Sequence, residues 1–256
     1  MSTNSVVPHV TQRVRHVSKR RVLTVVRASR LTPNMLRVVL EAPSLSDFSS
    51  PSPDDHIKLF IPDASSPGGV CMRDYTPRAF DNEKCLLTID FALHDGGVAT
   101  SWALRAEPGD TLEIGGPRGA SVVPDDFDHY LLVGDETALP SIARRVESLR
   151  PDVPVTSVVI LDGPKDIQIV STRANWRPVW VFRSQQHGDD ATLLRAALKT
   201  WDAPQGDGYV WIAAEAKAAR AVREYMLEER GPPKPWLKAA GYYVAGEAGA
   251  AEKFEQ

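Results

Sequence analysis

The chain changes rhythm near residue 125, and that change limits its possible folds more than any other feature. Before it, short runs of alternating or β-branched residues are separated by Pro, Gly, Asp and Ser: "RVLTVVRASR" (21–30), "MLRVVLEAP" (35–43), "HIKLFIP" (56–62), "CLLTIDFALH" (85–94) and "TLEIGG" (111–116). Such a series predicts an antiparallel barrel or sandwich. One helix interrupts it at "VATSWALRA" (98–106), after "HDGG". Beyond the change, apolar strands alternate with helices. Strands are expected at 130–135, 155–163, 178–183 and 209–215, and helices at 137–150, 191–201 and 216–230. Gly231, Pro232 and Pro233 stop the last helix. This alternation implies a parallel sheet covered on both faces, with ligands at the carboxyl ends of its strands. The expected division is a barrel domain over 1–124 and an α/β domain over 125–256.

Composition narrows the function classes. The 256 residues carry a net charge of −3, which gives no argument for nucleic acid. Residues 1–40 nonetheless hold eight Lys/Arg and no acid before Glu41. They read as a basic arm for an anion or membrane surface, or as a partly disordered terminus followed by a solvated strand face. Cys71 and Cys85 fit neither a disulfide framework nor a metal cluster, and are expected to be buried thiols. No window approaches the roughly 18 apolar residues of a spanning helix, and the first residues lack the apolar core of a signal peptide. A cytoplasmic protein follows, monomeric by default and without stable membrane insertion.

Three stretches carry candidate chemistry. "CMRDYTPRAF" (71–80) sets Arg73, Tyr75, Thr76 and Arg78 within six residues. In a strand, Arg73 and Tyr75 share a face. A guanidinium suits a pyrophosphate, an aromatic ring suits a flat ring system, and a hydroxyl suits its polar edge. The alternative is an ordinary exposed strand. "FALHDGGVATSWALRA" (91–106) joins a glycine turn to a helix start, where free N–H groups and the dipole suit phosphate. Alone it also reads as a capped helix without a ligand. "LLVGDETALPSI" (131–142) places a glycine between a strand and a helix, where a dinucleotide would lay its pyrophosphate, although the three-glycine fingerprint is missing. Asp162 ends the next strand and suits a ribose hydroxyl, while nearby Lys165 suits a phosphate, so the choice between the two nicotinamide cofactors stays open.

Together, "RDYTPR" (73–78), "HDGGVATSWA" (94–103), "GGPRG" (115–119) and "GDETALPSI" (134–142) resemble the siderophore-interacting proteins, within the ferredoxin-reductase-like superfamily. The resemblance covers roughly residues 20–245. It implies an FAD-binding antiparallel β-barrel followed by an NAD(P)H-binding parallel α/β domain. It further implies that Tyr75 stacks on the isoalloxazine, Thr76 bonds near its N5 edge, and Arg73, beside Asp74, holds the pyrophosphate. Asp90, Phe91 and His94 would line the flavin or its ribityl chain. Gly97, Val98, Ala99, Thr100, Ser101 and Trp102 would form the phosphate turn. Gly134, Asp135, Glu136 and Thr137 would meet the dinucleotide, and Tyr243 would cover the flavin.

Family members reduce ferric siderophores to release Fe(II), with NADH, NADPH or a ferredoxin as donor. The alternatives are another flavin or electron-transfer reductase of the superfamily, and a flavin-containing siderophore-binding protein with little turnover. Hard oxygen ligands hold Fe(III) far better than Fe(II), so reduction is release, and no metal ligand is needed from the protein. Lys58, where the family tends to carry a lysine, and Lys238 are expected to attract an anionic ferric siderophore. The family's Tyr-Trp-Arg near the C-terminus is Tyr242, Tyr243, Val244 here, which removes one expected cation.

Overall fold

A computed structural model of the chain describes residues 9–94, 96–247 and 249–254. The terminus expected to be partly disordered falls largely outside that range. The first half contains β1 (Gln12–Arg15), β2 (Arg20–Thr32), β3 (Met35–Glu41), β4 (Ile57–Pro62), β5 (Val70–Tyr75), β6 (Pro77–Asp81), β7 (Leu86–Ala92), α1 (Val98–Arg105), β8 (Thr111–Gly115) and β9 (Gly119–Val122). Seven of these strands form one antiparallel sheet in the order β5-β4-β8-β2-β3-β7-β6.

The two edge strands of that order, β5 and β6, are separated in sequence by Thr76 alone. The sheet is therefore rolled until its edges meet, and one residue closes it covalently. Inside, side chains follow the two-residue period of strands. Ile57, Leu59 and Ile61 of β4 are fully buried and alternate with Lys58 and Phe60 on the other face. Leu23, Val38, Leu40, Leu87, Ile89 and Ile114 fill the same core. Cys71 is buried, but Cys85, expected to be buried, is half-buried in the β6–β7 turn with φ 54°. β1, which lies in the basic arm, pairs with β9 as a separate ribbon.

The second half contains β10 (His129–Gly134), α2 (Leu139–Ser148), β11 (Pro154–Leu161), β12 (Asn175–Phe182), α3 (Asp190–Lys199), β13 (Gly208–Glu215), α4 (Ala216–Tyr225), β14 (Leu237–Tyr243) and β15 (Glu252–Lys253). Its sheet order is β12-β11-β10-β13-β14-β15, parallel except for β15. β10 is buried along its whole length because helices cover both faces. Tyr130 and Leu132 pack with α2, while Leu131 and Val133 pack toward α3 and α4. The strand order reverses direction between β10 and β13, which opens a crevice at their carboxyl ends.

Two elements depart from expectation. β14 was not predicted, because "LKAAGYY" lacks β-branched residues. The small residues are needed: a Cβ on Gly241 would lie 2.8 Å from Ala216 Cα at the start of α4. The helix expected over 216–230 is α-helical only to Tyr225. A π-turn over Met226–Arg230 follows, and Gly231 ends it with φ 66°.

Polar tethers join the halves. Asp54, before β4, accepts from Trp211 Nε1 at 3.1 Å and pairs with Lys238 Nζ at 2.5 Å. Arg144 of α2 donates to the Ser50 carbonyl at 2.7 Å. Arg78 forks onto Glu147 at 2.6 and 2.8 Å. Asn34, in the β2–β3 turn, donates to Asp166 through its backbone and side chain, both at 3.0 Å. Burial opposes the charge of Asp54, yet Lys238 holds its carboxyl below the usual range. Removing one partner of a buried pair strands the other. Asp54→Ala is accordingly expected to cost about 3 kcal/mol in urea unfolding, whereas an exposed control such as Glu83→Ala should change stability by less than about 0.5 kcal/mol.

Candidate functional site

The site grows from the closure of the barrel. β5 ends at Tyr75 and β6 begins at Pro77, so Thr76 sits where the edges meet. The Tyr75 ring packs against Phe91 at 4.6 Å between centroids, and Phe91 against Trp102 of α1 at 5.7 Å. Tyr75 thus presents a half-buried ring backed by a rigid aromatic row. Burial pushes its hydroxyl well above the usual range, so it stays neutral.

Two residues earlier, half-buried Arg73 donates to the Met72 carbonyl at 2.8 Å and has no carboxylate partner among the described residues. Its guanidinium keeps further donors for an anion. Next to the aromatic row, Gly97 begins α1 without any side-chain cap, which leaves first-turn N–H groups free. Gly96 holds φ 73°, a conformation that favours glycine, and Thr100 Oγ1 accepts from His94 N at 3.1 Å. An aromatic platform, an uncommitted guanidinium and an open helix start are the donor set an FAD requires, so these residues fit that group.

The α/β domain supplies the facing wall. Tyr243 ends β14, and its ring lies 5.9 Å from that of His94. The preceding Tyr242 turns inward. Its hydroxyl lies 3.1 Å from Ser141 Oγ in the first turn of α2, and Ser141 Oγ lies 3.0 Å from Thr76 Oγ1. Thr76 and Ser141 are both buried.

The dinucleotide side lies at the β10–β13 crevice. A Cβ on Gly134 would meet Ala138 Cβ at 2.5 Å and the Ala213 carbonyl at 2.6 Å, so only glycine fits between strand and helix. Asp135, fully buried, accepts from Thr137 N, Thr137 Oγ1 and Glu215 N at 2.9, 2.5 and 2.8 Å. Arg183, after β12, binds Glu136, Asp162 and Asp190 at 2.8–2.9 Å. Burial opposes its charge, but the hydrogen bonds to Asp190 and Glu136 hold the guanidinium firmly protonated. Three carboxylates against one cation leave this end of the crevice acidic.

The structure brings Arg73, Tyr75, Thr76, the 97–102 turn, His94 and Tyr243 to the junction of the two halves. Several expected roles change. The Phe91 side chain is fully buried behind Tyr75 and supports that ring instead of lining a ligand. The Asp90 carboxylate is withdrawn as well, since Arg37 forks onto it at 2.7 and 2.8 Å. Ala99 is buried in the α1 packing, so only its backbone can face a ligand. Lys238 is the cation of the Asp54 tether near the start of β14, about 16 Å of strand from Tyr243, and is not placed to meet a substrate at the flavin edge. Lys58 pairs across the strands with Asp74 at 2.8 Å, both partly exposed. Ser141 was missed, Tyr242, expected with Tyr243 to cover a flavin face, instead reaches Ser141, and Arg78 proves to be a brace. Ser141 had no sequence signal beyond its place after "GDETALP", because its partners lie on distant elements.

Residues 24–70 and 69–121 match the family model for the siderophore-interacting FAD-binding domain, and residues 127–248 match that for the siderophore-interacting protein. The chain belongs to the siderophore-interacting protein family. It is 34% identical to the NADPH-dependent ferric-chelate reductase of Escherichia coli K12, covering 93% of this chain and 98% of that one. A siderophore utilization protein from T. fusca superposes with a TM-score of 0.86 at 35% identity, covering 93% and 98% of the two chains. The siderophore-interacting protein SipS of Aeromonas hydrophila gives 0.79 at 29% identity, over 90% and 93%. FAD is thus the cofactor of the barrel domain, and no described helix is long and apolar enough to cross a membrane.

The crevice carries a pH signature. Burial, with the Glu136 charge beside it, pushes the Asp135 carboxyl up to about 7 against its three donors. A folded-state value above the unfolded one means that the folded protein binds the extra proton, so stability falls as pH rises from about 4 to about 7. Urea unfolding of the protein and of Asp135→Asn at pH 5, 6, 7 and 8 should show the wild-type losing stability relative to the variant up to pH 7 and levelling above it. A constant difference would mean that Asp135 is ionised throughout.

Proposed function

We propose that the protein is a reductase that takes electrons from NADH or NADPH through FAD and delivers them to ferric siderophores, freeing iron as Fe(II). The observation that carries this reading is the junction at Thr76, where the barrel's aromatic platform meets residues from the dinucleotide-binding half. The E. coli relative, an NADPH-dependent ferric-chelate reductase, supports it.

The residues divide the work. Arg73 and the free N–H groups at the start of α1 hold the pyrophosphate. Tyr75, braced by Phe91 and Trp102, carries the ring system, and Tyr243 covers it from the other domain. Thr76 hydrogen-bonds the reactive edge. The Gly134–Thr137 turn lets a dinucleotide approach the β10 end closely. Bound FAD supplies the conversion of a hydride pair into single electrons for iron. Lys58, paired with Asp74, is the cation proposed to attract an anionic complex. The acidic set around Arg183 favours the dinucleotide lacking a 2′-phosphate, so NADH is the preferred donor. A reduced ferredoxin is the alternative source.

Purified protein should be yellow, and Arg73→Ala and Tyr75→Ala should each weaken FAD retention roughly 5- to 150-fold, as expected for contacts of about 1–3 kcal/mol. NADH should bleach the flavin anaerobically with kcat/KM about tenfold above NADPH. Adding a ferric siderophore with a ferrous chelator should restore the oxidised spectrum and develop the chelator colour. Reduced flavin left unoxidised by ferric complexes would leave a siderophore-binding flavoprotein in place of a reductase.

A further inference from the structure

Thr76, Ser141 and Tyr242 come from three elements: the barrel closure, the first turn of α2 and the end of the last parallel strand. Their hydroxyls form one buried cluster. Ser141 Oγ stands between the other two at 3.0 and 3.1 Å. Burial raises the Tyr242 hydroxyl well above its usual range, so it keeps its proton. Three hydroxyls bring three protons and can each accept as well as donate. Two arrangements keep both hydrogen bonds of this chain of hydroxyls. In the outward one, Tyr242 donates to Ser141, Ser141 to Thr76, and Thr76 to whatever lies beyond it. In the inward one, Thr76 donates to Ser141 and Ser141 to the half-buried Tyr242, so that Thr76 turns a free lone pair outward.

We infer that Ser141 and Tyr242 are positioning residues that let the Thr76 hydroxyl reverse between donor and acceptor as the cofactor changes oxidation state. The inference rests on the reading above, in which Thr76 faces the flavin edge. An oxidised flavin presents an acceptor nitrogen there and a reduced one presents an N–H. The outward arrangement matches the first and the inward arrangement the second. A lone hydroxyl could also rotate. Without partners, however, it would leave one state with an unmatched buried group, which is costly. The interdomain contact therefore tunes the cofactor's preference for electrons without touching it.

The two residues have different expected signatures. Tyr242→Phe keeps the ring and leaves the outward chain intact, with Ser141 donating to Thr76. It strands the Ser141 proton in the inward arrangement, so the reduced cofactor loses support. The oxidised-to-reduced equilibrium should shift about tenfold toward the oxidised form, a fall of about 30 mV for a two-electron couple. Ser141→Ala removes the link used in both arrangements. It should slow flavin reduction by NADH about tenfold with little change in the dinucleotide's KM, and Ser141→Thr should restore the rate.

The measurements are FAD content and visible spectrum, the midpoint potential by equilibration with a reference dye, and stopped-flow reduction. Thermal unfolding establishes that each variant is folded. A Tyr242→Phe protein that binds FAD with an unchanged potential overturns the inference and leaves the reductase reading standing. A wild-type protein that binds no FAD overturns both. Should Ser141→Ala fail to fold, the potential of the near-isosteric Tyr242→Phe decides alone.

Discussion

The structure depends on one closure. A seven-stranded sheet whose edges are joined through a single residue has little freedom in curvature, because the chain must run from one edge to the other across Thr76. Everything near that point is consequently fixed relative to everything else. Tyr75 and Pro77 belong to opposite edges, the Phe91–Trp102 row supports the ring from within, and Arg73 occupies the adjacent position on the same strand face.

The second half is then registered against the first by polar contacts at several separated points. Asp54 gathers Trp211 and Lys238, Asn34 reaches Asp166, Arg78 forks onto Glu147, and Arg144 caps the Ser50 carbonyl. Such tethers are directional, so they specify one relative orientation where apolar packing alone tolerates sliding. The crevice between β10 and β13 is thereby held facing the barrel's aromatic platform, the geometry needed for a dinucleotide to hand electrons across the junction.

Much of this was legible in the residues. The alternation in β4 and the continuous apolar run of β10 state their burial directly, and the unusual polar set of 71–80 stands out against both. Long-range pairing was not legible. Asp90 resembles a ligand-lining acid until Arg37 is found opposite it in the β3–β7 register. Lys238 resembles a substrate cation until Asp54 is found against it. β14 is hidden because its small residues answer to the close approach of Ala216, a constraint that leaves no period in the strand itself. Ser141 is ordinary in sequence and distinctive only through two hydroxyls that reach it from distant elements.

The order of residues around Thr76 also bears on how the molecule is made. Barrel residues emerge first during synthesis, and the whole Tyr75–Phe91–Trp102 row lies within them. Tyr242 and Tyr243 are translated more than a hundred residues later, at the end of β14. A barrel that closes before then has its platform open on the side that Tyr242 and Tyr243 later cover, and docking of the last parallel strand narrows that entrance.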